Sequence, residues 1–144
     1  MAQTKKFFSK EEDQLIVQAL KDAELRSGGE VRVHLEKSCD IDPVERAVEV
    51  FDALNMSQTV HRNGVLFYMA TDDKKYAVIG DQGINEKVPP NYWGFLRDRM
   101  QSYFIKDAFV KGLLDSIEDV TKHLERYFPY PKDDINELPD ELSL

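Results

Sequence analysis

The sequence predicts an α/β/α sandwich, a small mixed sheet with helices on both faces. Three observations predict it. Residues Glu30–Glu36 alternate, with Val31, Val33 and Leu35 on one face and Arg32, His34 and Glu36 on the other, the pattern of a strand with one buried face. Residues Gly64–Ala70 are apolar throughout, as in a central strand covered on both sides. Around and between them, apolar residues recur at helical spacing.

Taken in order, Ser9 and Glu12 form a capping-box pattern ahead of the stripe Leu15, Ile16, Ala19, Leu20 and Ala23, and Gly28-Gly29 is expected to end that helix. Asp42-Pro43 reads as an N-cap with proline in the first turn, and Glu45 is spaced to complete a second capping box. Ala47, Val48, Phe51 and Leu54 supply the stripe of this second helix. After Gly64–Ala70, the polar turn Asp72-Asp73-Lys74-Lys75 leads to a third strand over Tyr76–Ile79. Its connection is so short that it is expected to run antiparallel to the second. Gly80–Pro90 is expected to be irregular. Trp93, Leu96, Met100 and Tyr103 mark a third helix, and Phe109, Leu113, Ile117, Val120 and Leu124 a fourth. The prolines at 129 and 131 cannot continue that helix. The first strand, second helix and second strand make a crossover unit with parallel strands. Glu30, Asn63, Gly64, Gly80 and Asp81 are then expected at one end of the sheet, and Glu36, Asp72 and Asp73 at the other.

The chain has 144 residues, one ordinary domain with enough length to bury a core unaided. That domain is expected over residues 7–129, followed over 130–144 by a tail carrying Asp133, Asp134, Glu137, Asp140 and Glu141. With 19 Lys and Arg against 27 Asp and Glu, the net charge is −8. Such a surface is a poor host for nucleic acid, whose phosphates require clustered cations, and it favours hard cations locally. A single cysteine, Cys39, excludes an internal disulfide. No window has the ~20 apolar residues of a membrane span, and the apolar run at Phe7-Phe8 is too short for an export signal. A cytoplasmic setting is therefore expected.

The order of features resembles the TPM domain family, named for thylakoid-lumen, photosystem-repair and nematode receptor-modulating members. The resemblance rests on Ser27-Gly-Gly-Glu-Val-Arg-Val-His34, Glu45-Arg46-Ala47 with Phe51, Asn63-Gly-Val-Leu-Phe-Tyr-Met-Ala70, Gly80-Asp-Gln-Gly-Ile84 and Phe109-Val-Lys-Gly112. It implies an α/β/α sandwich and a choice of functions. Some members look like weak acid phosphatases, some bind calcium, and others serve membrane complexes.

The loop Asp81-Gln-Gly-Ile-Asn-Glu86 offers carboxylates at Asp81 and Glu86, an amide at Asn85 and backbone carbonyls. Ca²⁺ takes six to eight such oxygens, and the strand directions bring Glu30 and Asn63 toward it as further ligands. The alternative is a solvated turn whose glycines solve a backbone problem. Asp72, Asp73 and Glu36 form a second acidic candidate, set against the plain reading of a hairpin turn. Phosphatase chemistry needs a nucleophile or a metal-activated water, with cations on the phosphoryl group. No Cys-x5-Arg loop, Asp-x-Asp nucleophile or Arg-His-Gly segment is expected, so a phosphatase here would be metal-assisted, with Arg62 or Arg46 contacting phosphate. The alternative for Arg46 is a helix-surface ion pair. His34, His61 and His123 lack ligand spacing. Gly80-x-x-Gly83 lacks the third glycine of a dinucleotide fingerprint, so no nucleotide cofactor is expected. The aromatics Tyr92, Trp93, Phe95, Tyr103 and Phe104 are expected in the core; Tyr127, Phe128 and Tyr130 anchor the tail or face a protein partner.

Overall fold

The computed structural model describes residues 7–130. Helix α1 (Lys10–Arg26) opens on the expected capping box: the Glu12 amide donates to the Ser9 hydroxyl at 3.1 Å, and the Ser9 amide donates to the Glu12 carboxylate at 2.9 Å. It ends at Ser27, whose extended backbone leaves the helix axis. Neither Gly28 nor Gly29 adopts the left-handed conformation of a glycine cap. Gly29 answers a packing need instead, since a Cβ there would lie 2.7 Å from a Leu124 methyl.

Strand β1 (Glu30–Glu36) follows, then helix α2 (Pro43–Ala53). The Asp42 carboxylate accepts from the Val44 and Glu45 amides at 3.0 and 3.3 Å; the return bond from Glu45 is not made among the described residues. Ala47, Val50 and Phe51 are the buried stripe of α2. Val48, expected inside, lies on the outer side with Val44 and is exposed, because a 100° step places it off the line joining 47, 50 and 51.

A 3₁₀ turn at Met56–Gln58 leads to β2 (Gly64–Ala70), buried at every residue, and the turn after it to β3 (Lys75–Gly80). The sheet order is β1-β2-β3. Strands β1 and β2 are parallel, from Glu30↔Gly64 to Glu36↔Ala70, and β2 and β3 antiparallel, from Val65↔Gly80 to Ala70↔Lys75. Gln82–Asn85, expected to be irregular, form a single-turn helix α3 capped by the Asp81 carboxylate. Helices α4 (Tyr92–Phe104) and α5 (Phe109–Tyr127) complete the chain.

Because side chains alternate along β2, it feeds two cores. Val65, Phe67 and Met69 pack with α1, α4 and α5; Leu66, Tyr68 and Ala70 pack with α2. The α5 stripe Leu113, Ile117, Val120 and Leu124 is buried as its spacing requires, each side chain contributing about 1.5–3 kcal/mol of apolar burial. Tyr92, Leu96, Met100 and Phe104 do the same on α4, while Phe95, expected in the core, is 57% exposed on the outer face. Of the tail aromatics, Phe128 packs on the first core, and Pro129 bridges to Ser27. The acidic residues 133–141 lie outside the described residues.

Candidate functional site

The pairing separates two ends of the sheet, as the strand directions require. At the first end Glu30 faces Gly64, and the Asp81 amide donates to the Gly64 carbonyl at 2.9 Å. Asp81 is the one buried acidic or basic residue among the described residues. Its carboxylate serves two purposes. It accepts from the Gln82 amide at 2.8 Å, which starts α3, and it takes a two-point contact from Arg62, Nε to Oδ2 at 2.7 Å and Nη2 to Oδ1 at 2.9 Å. Such forked pairs are geometrically selective as well as strong. The Arg62 side chain is 48% exposed and the Asp81 side chain 8%, so the pair sits at a boundary with the guanidinium on the water side. Gly83 locks the same corner: its amide donates to the Arg62 carbonyl at 2.7 Å, and a Cβ there would lie 1.9 Å from the His61 carbonyl oxygen.

Next to Arg62, Asn63 is buried. Its amide nitrogen donates to the Gly28 carbonyl at 3.2 Å, while its Oδ1 is buried without a partner. The other expected ligands at this end are engaged elsewhere or turned to solvent. Asn85 Oδ1 accepts from the Trp93 indole at 2.8 Å, Glu30 pairs with Arg32 at 3.0 Å, and Glu86 is exposed at the end of α3. Among the described residues no three His, Cys, Asp or Glu side chains converge as a metal-ligand group.

At the opposite end the organising group is Glu36. It accepts from Arg46 Nε at 2.8 Å and Nη2 at 3.0 Å, from the Tyr68 hydroxyl, and lies 3.2 Å from His34 Nε2. Arg46 above all, then Tyr68 and His34, hold the Glu36 carboxyl down to about 2 against the opposing effect of burial. Burial, with the Glu36 carboxylate second, pushes the Tyr68 hydroxyl up. The strand register contains this cluster in outline, since His34 and Glu36 share a face and His34 is paired with Tyr68. Asp73 accepts from the Cys39 amide at 2.8 Å, so it ties the hairpin to the β1–α2 loop, and Asp72 lies 3.9 Å from Lys37. Glu36 is thus drawn to Arg46 and away from the Asp72-Asp73 turn. The expectation of no Asp-x-Asp pattern does not hold: Asp40-Ile-Asp42 has the form used by phosphotransfer aspartates. Here Asp42 is spent capping α2, and only Asp40 is exposed and free of partners among the described residues.

The TPM domain sequence profile matches residues 1–123. The chain belongs to the TPM domain family. Its fold is similar to the NMR structure of BA42 from the psychrophilic bacterium Bizionia argentinensis, at 44% identity and a TM-score of 0.82, covering 99% of each chain. Two more distant likenesses carry the fold alone. One is the N-terminal domain of cg2496 from Corynebacterium glutamicum (14% identity, TM-score 0.64, 82% of this chain and 74% of that one). The other is an N-terminal domain from P. gingivalis (16%, TM-score 0.68, 86% and 82%). No curated protein matches. Among the described residues of this TPM domain, no helix is long and apolar enough to cross a membrane.

Proposed function

We propose that this TPM domain is a divalent-cation-binding module, for Ca²⁺ first, that takes its ion at the Asp81 end of the sheet in exchange for the Arg62 guanidinium. The observation that carries the reading is the pairing of a buried carboxylate with a half-exposed arginine, next to which in the chain stands Asn63, whose buried amide oxygen has no partner. A buried acceptor without a donor is costly, and a cation or a water relieves it. Asp81 and Asn63 would be the fixed ligands. Glu30, Asn85 and Glu86 would join only by leaving their present positions, so water would complete the shell and the affinity would be modest.

The test is calorimetric titration with Ca²⁺, together with melting temperature, on wild type, Asp81→Ala and Arg62→Gly. Glycine accepts the positive φ of 52° at position 62 without strain. Ca²⁺ should raise the melting temperature of the wild type, bind about tenfold more tightly to Arg62→Gly, where its competitor is gone, and leave Asp81→Ala unaffected. Absence of heat and of any thermal shift in both wild type and Arg62→Gly would sink the reading.

A metal-assisted phosphatase is the second reading, favoured by one feature: the ion that displaces Arg62 from Asp81 frees a guanidinium for phosphate. Arg46 is less available, bound at two points by Glu36. Turnover of a simple phosphomonoester should then vanish with chelator and in Asp81→Ala. A role as an interaction module, through the acidic tail, requires loss of partner capture when residues 132–144 are removed.

A further inference from the structure

A second feature lies away from Asp81, where the β2–β3 hairpin meets the turn between α4 and α5. It is a cleft of about 390 Å³, lined by Phe7, Met69, Tyr76, Phe104, Ile105 and Phe109. Its depth comes from Met69 and Phe104, which are 3% and 7% exposed, and its lip from Ile105, which is 75% exposed. The walls are aromatic and packed on one another. The Tyr76 and Phe104 rings meet edge to face at 4.8 Å, and Phe104 packs on Phe109 at 5.2 Å. Its volume falls in the range of small-molecule sites and well above the ~150 Å³ hole that accepts benzene.

The polar groups at the rim are mostly donors. Lys75 is already engaged, its ammonium donating to the Cys39 carbonyl at 3.0 Å. Lys74, Tyr76 and Gln101 also line the cleft, and their side-chain polar groups make no hydrogen bond or ion pair among the described residues. Asp107 is the opposing acceptor. Lys74 and Asp107 both hold left-handed backbone, at φ 54° and 59°. That conformation costs a non-glycine residue about 1–2 kcal/mol. In a chain of net charge −8, the Lys74 ammonium is a cation without an ion-pair partner among the described residues, next to an apolar slot.

We propose that this cleft binds a small amphiphile, an apolar chain of medium length ending in a carboxylate, with the chain against Met69, Phe104 and Ile105 and the head at Lys74. Burial pushes the Tyr76 hydroxyl up, so it remains a donor. The site is independent of the Asp81 end and of any ion held there.

Sodium decanoate, below its micellar concentration, is the probe, followed by amide chemical shifts and calorimetry on the full chain. Shifts should be confined to residues 69–76 and 101–109. Lys74→Gly, which removes the ammonium and relieves the backbone strain, should weaken binding about tenfold without loss of stability. Ile105→Asp, a change at an exposed position, should abolish it. Decanol should bind at least tenfold more weakly than decanoate. The proposal is overturned if decanoate causes no localised shifts, if decanol binds as well, or if Lys74→Gly leaves the affinity unchanged. Pelleting with phosphatidylglycerol vesicles in the absence of any decanoate response would assign the patch to a membrane surface and overturn it equally.

Discussion

Replacement of Glu36 by Gln should cost stability at pH 7 and almost none at pH 2, where the wild-type carboxyl is itself losing its charge. The Glu36 carboxyl sits at about 2 in the folded chain, against an ordinary 4.5. At 1.36 kcal/mol per pH unit this difference corresponds to about 3.4 kcal/mol as an upper bound. Arg46, its main partner, is 37% exposed on its side chain, and Glu36 itself 22%, so solvent screening lowers the expected contribution to about 2 kcal/mol. The sign follows from the direction. A carboxyl depressed by folding stabilises the native state above pH 4.5, where the unfolded chain is ionised too, and loses that contribution as pH falls toward 2. Urea unfolding of wild type and Glu36→Gln at a series of pH values is the assay. The two should differ by about 2 kcal/mol at pH 7, or about 8 °C in melting temperature for a chain of this size. The gap should close between pH 4.5 and pH 2. A gap of constant size across that range would show that Glu36 acts through packing or neutral hydrogen bonding, and would refute the electrostatic argument.

Three further outcomes follow from packing and backbone geometry. Gly83→Ala should destabilise by more than 2 kcal/mol, because its Cβ meets the backbone oxygen of His61 at 1.9 Å and backbone cannot move aside cheaply, whereas Gly94→Ala, with nothing within 4 Å in an exposed part of α4, should stabilise by about 0.5–1 kcal/mol; chemical denaturation reads both. Leu124→Ala should cost about 3 kcal/mol by the cavity it leaves, and adding Gly29→Ala, whose Cβ would point at the vacated methyl position, should recover about 1 kcal/mol, a coupling that a double-mutant cycle measures. Ser9→Ala should lower stability by about 1 kcal/mol through loss of the α1 cap, most visibly as faster amide exchange in the first turn.

By itself the sequence determined the three strands, the four long helices, their order and the strand directions, but not the single-turn helix α3 or the 3₁₀ turn at Met56–Gln58. These rest on local rules: the two-residue period of β1, the unbroken apolar run of β2, the short hairpin that forces β3 antiparallel, and the Ser9 and Asp42 caps. Those directions were enough to place Asp81 and Asn63 at one end and Glu36 at the other. Tertiary structure alone decided what each charged group does. Arg62 closes on Asp81 from a loop 19 residues away, and Arg46 reaches Glu36 from the next helix. Neither partner is a neighbour in any local period, and several carboxylates stood within plausible reach of each arginine. The roles of the glycines were equally hidden. Gly29 and Gly83 are set by a Leu124 methyl and a His61 carbonyl that approach from remote segments, not by the backbone conformation their own sequence suggests. Local rules act over a few residues and survive in the sequence as pattern. Ion pairs and close approaches depend on which of many compatible surfaces the fold brings together, and only packing chooses among them.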